Sequence, residues 1–147
     1  MKKNFILLVE DNEDDVKLTL GALKNDHVHN KVEVVRDGAE ALDFIYGTGK
    51  YEGNPGFNEI AVVLLDIKLP KVDGMEVLKR IRDDERTRTL PVVILTSSKE
   101  EKDIVNGYKL GCNSYVRKPV EFEEFSGAVK ELGLYWLVIN EHPLQQE

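Results

Sequence analysis

Short apolar runs alternate with segments of helical periodicity along the chain. The apolar runs are rich in β-branched residues and predict five strands, at Phe5 to Val9, Val32 to Val35, Ile60 to Leu65, Pro91 to Leu95 and Tyr115 to Val116. Apolar residues at steps of three and four predict intervening helices at Glu13 to Lys24, Ala39 to Tyr46, Met75 to Arg82 and Glu100 to Leu110. A fifth helix is predicted by one apolar stripe, formed by Phe122, Phe125, Val129, Leu132 and Trp136. Such alternation predicts an α/β fold with a parallel sheet covered on both faces.

Composition and charge limit the class of protein. The 147 residues are 41% hydrophobic and 32% charged, which is typical of one globular domain. A net charge of -7 without a basic cluster argues against nucleic-acid binding. No stretch approaches the ~20 apolar residues that a membrane span requires. We therefore expect a cytoplasmic protein that binds neither nucleic acid nor membrane.

Charged residues follow three of the predicted strands directly. Glu10 and Asp11 come after the first strand, Asp66 after the third, and Lys118 with Pro119 after the fifth. The carboxyl ends of parallel strands share one edge of the sheet, so these side chains are expected to converge in one crevice. Three carboxylates beside one ammonium suit a divalent metal ion and a phosphoryl group.

The order and spacing of these motifs resemble the receiver domain of two-component response regulators. The motifs are Glu10-Asp11, Asp66 within the segment 66 to 74, Thr96-Ser97, Tyr115 and Lys118-Pro119. The resemblance covers residues 4 to 135 of a single domain expected to span 1–147, with a C-terminal tail at 136–147. It implies a flavodoxin-like, doubly wound (βα)5 fold with strand order 2-1-3-4-5.

The resemblance also implies roles for the residues of the site. Asp66 matches the phosphoacceptor of the family, and Lys118 and Thr96 match the residues that neutralise and hydrogen-bond the phosphoryl group during transfer. Tyr115 matches the switch aromatic, which turns inward when the hydroxyl of Thr96 moves to the phosphoryl group. The peptide bond between Lys118 and Pro119 is cis in the family.

A magnesium ion is the cofactor that the resemblance implies. Its ligands are expected to be Asp11 and Asp66 directly, Glu10 through water, and the main-chain carbonyl of Lys68. Neighbouring carboxylates repel one another unless a cation neutralises them, and Mg²⁺ prefers oxygen ligands. The side chains of Lys68 and Ser98 are expected at the rim of the site. The other acidic residues that follow the first strand, Glu13, Asp14 and Asp15, are assigned to the positive end of a helix dipole.

We interpret the chain as a stand-alone response regulator that catalyses only its own phosphorylation and dephosphorylation. Its expected partners are a sensor histidine kinase, as in the single-domain regulators of bacterial phytochromes, and a downstream protein that the sequence does not identify. A homodimer is also expected, because the closing helix carries apolar residues that do not belong to its core-facing stripe. These residues are Leu134, Tyr135, Leu137, Val138 and Ile139.

Two other functions remain open at this point. One is a receiver-like interaction module that acts without phosphorylation. The other is an aspartate-nucleophile phosphatase of the haloacid-dehalogenase type, which also places an aspartate after an apolar strand. That family needs a second aspartate two residues later, and Lys68 stands there, so we consider this the weaker alternative.

Overall fold

Five parallel strands form one sheet in the computed structural model, which describes residues 5–24, 31–118 and 121–141. The strands are β1 (Phe5–Val9), β2 (Lys31–Val35), β3 (Ile60–Leu65), β4 (Val92–Thr96) and β5 (Ser114–Arg117). Their order is β2-β1-β3-β4-β5, and all paired neighbours run parallel. The predicted doubly wound topology is therefore confirmed.

Within the described residues, five α-helices alternate with these strands, as the periodicity predicted. They are α1 (Glu13–Lys24), α2 (Gly38–Tyr46), α3 (Gly74–Asp83), α4 (Glu101–Lys109) and α5 (Phe122–Leu134). A π-helical turn, Tyr135–Ile139, follows α5. Asp37 caps α2 because its side chain accepts a hydrogen bond from the N–H of Glu40 at 2.7 Å. None of the helices in the described part of the chain is long and apolar enough to span a membrane.

The central strands are buried on both faces, so the core has two layers. In β1, alternate residues point to opposite layers, with Leu7 on one side and Leu8 on the other. One layer packs against α2 and α3 and includes Ile45 and Ile81. The other packs against α1 and α5 and includes Trp136, which is 8% exposed. Trp136, where the tail was expected to begin, thus belongs to the core.

The connection at residues 47–58 is more ordered than the sequence indicated. Its glycines and asparagines, with Pro55 among them, predict an unstructured surface loop, yet it contains two 3₁₀ turns, Gly49–Tyr51 and Gly56–Asn58. The ring of Tyr51 packs edge-on against Phe44 of α2, with centroids 5.0 Å apart. The prediction was wrong because an aromatic side chain that packs against the core restrains a segment whose glycines favour turns.

Candidate functional site

The carboxyl ends of β1, β3 and β5 bring three predicted site residues together. The ammonium of Lys118 donates hydrogen bonds to a carboxylate oxygen of Glu10 and to Oδ2 of Asp66, the latter at 3.0 Å. Lateral backbone bonds align these strand ends, since Asp66 N–H donates to Val9 O at 3.1 Å and Lys118 N–H donates to Thr96 O at 2.7 Å. The parallel sheet therefore positions the site, as expected.

A fourth residue, Asp15 of α1, completes the surroundings of the ammonium. Its Oδ2 accepts a hydrogen bond from Lys118 Nζ at 2.7 Å. Sequence reasoning had assigned Asp15 only to the helix dipole, so this contact was missed. The signal that could have revealed it is the short connection from β1 to α1, because it places the first helical turn at the same edge of the sheet as Glu10.

The site is buried and carries an excess of negative charge. The side chain of Lys118 is 7% exposed, Glu10 4% and Asp66 10%. Burial alone would lower the pKa of Lys118, but hydrogen bonds to Asp15 and Glu10 outweigh it and raise the pKa. Burial raises the pKa of Glu10 to about 7. The hydrogen bond from Lys118 acts against this increase, and the charge of Asp66 adds to it. The ammonium thus stays charged among three carboxyl groups.

Asp66 is oriented by three hydrogen bonds to its two oxygens. Its Oδ1 accepts from the hydroxyl of Thr96 at 3.0 Å and from the N–H of Lys68 at 3.0 Å, while Oδ2 faces Lys118. Its main chain is held closely, because a Cβ at Gly74 would lie 2.3 Å from the carbonyl oxygen of Asp66. These contacts hold the carboxylate in one orientation on a rigid support.

The predicted metal ligands are only partly brought together. Glu10 and Asp66 meet at Lys118, whereas Asp11 is exposed and has no contact with either among the described interactions. Within the described residues, no group of three or more histidine, cysteine, aspartate or glutamate side chains is arranged to hold a metal ion. Two of the predicted ligands, Glu10 and Asp66, nevertheless supply carboxylate oxygens around one ammonium, and oxygen donors of this kind fit a hard divalent cation.

The expected switch residues lie beside the site. The hydroxyl of Tyr115 donates to the carbonyl oxygen of Ser98 at 3.0 Å, and the ring is half-buried. The hydroxyl of Ser98 donates to Oδ2 of Asp103 in α4 at 2.6 Å. Ser98 was expected to reach the rim of the site, but its side chain is directed to α4 because Asp103 is a strong acceptor. Ser97 is exposed.

Two further expectations concern Lys68 and the bond that follows Lys118. The side chain of Lys68 is exposed, and its backbone N–H is the group that contacts Asp66. The Lys118–Pro119 peptide bond, expected to be cis, lies outside the described residues because Pro119 is not among them.

Three other proteins are similar to this chain along most of its length. The "Probable methanogenesis regulatory protein FilR2" of Methanothrix harundinacea is 42% identical over 138 residues, covering 94% of this chain and 86% of that protein. The response regulator Rcp1 of Synechocystis is 36% identical over 132 residues, covering 90% of this chain and 88% of Rcp1. The crystal structure of the phosphorylated cyanobacterial phytochrome response regulator RcpA matches this structure with a TM-score of 0.89. The two sequences are 37% identical, and the match covers 96% of this chain and 99% of RcpA.

A crystal structure of the Mn²⁺-bound form of Rcp1 is also similar to this structure, with a TM-score of 0.89. The sequences are 34% identical, and the match covers 96% of this chain and 99% of the Rcp1 chain. The family model of the response regulator receiver domain matches residues 6–130. The match extends from β1 into α5 and so includes every strand that contributes to the site. This chain therefore belongs to the receiver domain family and is a response regulator of a two-component system.

Proposed function

We propose that this protein is a stand-alone response regulator whose Asp66 accepts a phosphoryl group from the phosphohistidine of a sensor kinase. The observation that supports this most is the environment of Asp66. Its carboxylate lies 3.0 Å from Lys118 Nζ and 3.0 Å from the Thr96 hydroxyl. A carboxylate held in this way can attack phosphorus, and the neighbouring donors compensate the charge that develops on the phosphoryl oxygens.

The proposed transfer needs no reactant besides the kinase and this protein. The phosphorus–nitrogen bond of the phosphohistidine breaks as an oxygen of Asp66 forms a bond to phosphorus. Lys118 supplies a compact positive charge, and Thr96 supplies a hydroxyl that can donate to a phosphoryl oxygen. Tyr115 acts as the switch aromatic that links this change to the surface. The protein acts on its own phosphoryl group and does not turn over an external substrate.

Magnesium is the metal that we propose for the site, because it prefers oxygen ligands and the carboxylates of Glu10 and Asp66 lie together here. Glu10, Asp11 and Asp66 together with the main-chain carbonyl of Lys68 would hold the ion. When bound, it would neutralise the carboxylates and the incoming phosphoryl group. The Mn²⁺-bound structure of Rcp1 supports a divalent ion in a protein similar to this one.

A phytochrome-type sensor kinase is the partner that the similar proteins favour, since RcpA is described as a phytochrome response regulator. We place this exchange in the cytoplasm, without nucleic acid or membrane as a partner. The output would be contact with a second protein through the surface of α4, β5 and α5. This surface adjoins Tyr115 and includes the exposed side chains of Val105 and Tyr108, which are 40% and 54% exposed.

Phosphorylation of the purified protein tests the proposal. A small phosphodonor with Mg²⁺ should add one acid-labile phosphoryl group, measured by intact mass, and Asp66→Asn should abolish the addition. Asp73→Asn is the matched control, because Asp73 lies in the same segment, is exposed, and makes no side-chain capping bond. Equal labelling in Asp66→Asn, or in the presence of EDTA, would refute the assignment and favour a module that acts without phosphorylation.

We also propose that the protein forms a homodimer through the end of α5. Leu134, Tyr135 and Ile139 are 43%, 46% and 59% exposed, which leaves apolar groups on the surface. Because Trp136 is buried, truncation before it would damage the core, so the double substitution Leu134→Ser with Ile139→Ser is the better test. Val105→Ser with Tyr108→Ser on α4 is its control. Sedimentation should show a dimer for the wild type and for the α4 control, and a monomer for the variant with Leu134→Ser and Ile139→Ser. A wild type that is monomeric at high micromolar concentration would refute this proposal.

A further inference from the structure

Among the partners of Lys118 in the described part of the chain, Asp15 is the one for which the proposed transfer gives no role. An ammonium has three N–H donors, and here three carboxylates accept from it: Glu10, Asp66 and Asp15. Glu10 and Asp66 follow strands, whereas Asp15 lies on α1, which packs against the same face of the sheet as α5. The helix therefore contributes a contact at the end of a strand that is distant in sequence.

The backbone of Asp15 is fixed on both sides. Its N–H donates to Oδ1 of Asn12 at 3.0 Å, and its carbonyl oxygen accepts from the hydroxyl of Thr19 at 2.7 Å. The side chain is 26% exposed. Because the backbone is fixed, only the side-chain torsions of Asp15 remain to be ordered when the carboxylate contacts Lys118.

We infer that Asp15 is a positioning residue for Lys118, which directs one N–H of the ammonium toward Asp66 and the phosphoryl group that Asp66 receives. Two N–H groups are held by Glu10 and Asp15, so the third points to Asp66. When a phosphoryl oxygen replaces the carboxylate as its acceptor, the ammonium does not need to be reoriented. Pre-oriented charge of this kind lowers the barrier without a cost of reorganisation during the reaction.

This inference rests on the proposed function only for its effect on the rate of phosphorylation. Asp14 is the matched control, because it belongs to the same acidic first turn of α1 but is exposed and has no contact with Lys118 among the described interactions. Asp14→Asn and Asp15→Asn remove the same charge from the same helix end. A role in the helix dipole alone predicts equal effects, whereas the positioning role predicts an effect at residue 15 only.

The rate arm uses acetyl phosphate at saturating Mg²⁺ and intact-mass detection. Asp15→Ala should slow phosphorylation about tenfold, because a charge-assisted hydrogen bond to the ammonium is lost. Asp15→Asn keeps an acceptor oxygen and should slow it about threefold. Asp14→Ala and Asp14→Asn should equal the wild type. Equal rates for the substitutions at 14 and 15 would overturn the inference, as would faster phosphorylation in Asp15→Ala, because that would mean that Asp15 withholds the ammonium.

A second arm needs neither metal nor phosphate. The buried, hydrogen-bonded ammonium of Lys118 should give a slowly exchanging ¹H–¹⁵N signal in the free protein. Asp15→Ala should broaden or shift this signal, and Asp14→Ala should leave it unchanged; no change in Asp15→Ala would overturn the inference. If the wild type accepts no phosphoryl group, the proposed function fails, and this signal still decides whether Asp15 holds Lys118.

Discussion

The protein holds a cation at each end of β5, and the two are bound by different chemistry. Lys118 follows the strand and is surrounded by carboxylates. At the other end, Arg82 of α3 donates to neutral acceptors: the carbonyl oxygens of Gly111 and Leu90, each at 2.7 Å, and Oδ1 of Asn113 at 2.9 Å. The first arrangement has excess negative charge, whereas the second has no carboxylate among these contacts.

This difference separates the proposed phosphorylation site from a structural contact. Carboxylates can take a metal ion in place of an ammonium, and an ammonium can take a phosphoryl group in place of a carboxylate. The neutral acceptors around Arg82 carry no net charge for a metal ion to neutralise. Burial lowers the pKa of Arg82, and Cys112 acts in the opposite direction, whereas at Lys118 burial is outweighed by the hydrogen bonds to carboxylates, which raise the pKa. The charge of the partners is thus the feature that distinguishes these two buried cations.

The largest effect is expected for Lys118→Met. Without metal, its free energy of unfolding should fall by about 3 kcal/mol, because the buried carboxylates lose their counter-charge. Phosphorylation by a small donor should slow by about 100-fold or more. Saturating Mg²⁺ should stabilise this variant more than the wild type, since the ion replaces the ammonium. Urea unfolding with Mg²⁺ or EDTA measures this; equal stabilisation of both proteins would contradict the exchange.

Arg82→Met should lower the free energy of unfolding by about 2–3 kcal/mol, because carbonyl acceptors are left without their charged donor. Mg²⁺ should not restore the loss, and the phosphorylation rate should stay within about twofold of the wild type. Arg80→Met is the control, because its side chain is 55% exposed and pairs with Glu76 on the helix surface. If Arg80→Met costs as much in denaturant unfolding, the contact of Arg82 is not special.

Ser98→Ala tests a static hydrogen bond at the functional end of the sheet. Ser98 is 7% exposed, and its hydroxyl donates to Asp103 at 2.6 Å. Its removal should lower the free energy of unfolding by about 1 kcal/mol, measured in urea. Ser97→Ala, at the exposed neighbouring position, should change it by about 0.5 kcal/mol or less. An equal effect at both positions would mean that the contact with α4 adds no stability.

The smallest change in stability is expected for the ion pair of an exposed cation. The ammonium of Lys50 lies 2.6 Å from a carboxylate oxygen of Glu40. Burial raises the pKa of Glu40, but hydrogen bonds from Lys50, the N–H of Arg36 and Tyr51 outweigh it and lower the pKa to about 2. Glu40→Gln should cost about 0.5 kcal/mol at pH 7, since solvent screens the pair.

The pH dependence of that cost follows from the direction of the shift. The carboxylate stabilises the fold fully above its usual pKa of 4.5, and this contribution is lost as the pH falls toward 2. The difference in unfolding free energy between wild type and Glu40→Gln should therefore shrink by about half or more between pH 5 and pH 3. A difference that is constant over this range would contradict the assigned ion pair.

Much of the architecture could be predicted because local patterns determine it. The bounds of β1, α1 and β3 were predicted to the residue, since apolar runs and helical periodicity report burial directly. The meeting of Glu10, Asp66 and Lys118 followed from the geometry of a parallel sheet, because strand ends share an edge. The turns at 47–58 could not be predicted, since they depend on Tyr51 packing against Phe44, a contact that the local sequence pattern does not show.

The order of the elements, the strand-end charges and the family motifs can all be read from the amino-acid sequence. Which of several acidic residues touches the ammonium depends instead on how the helices pack on the sheet. Asp14 and Asp15 are adjacent and chemically identical, yet only Asp15 contacts Lys118, which lies 103 residues away. The physical reason is that a step of one residue turns a side chain by about 100° around a helix, so the packing of α1 on the sheet selects which carboxylate faces the site.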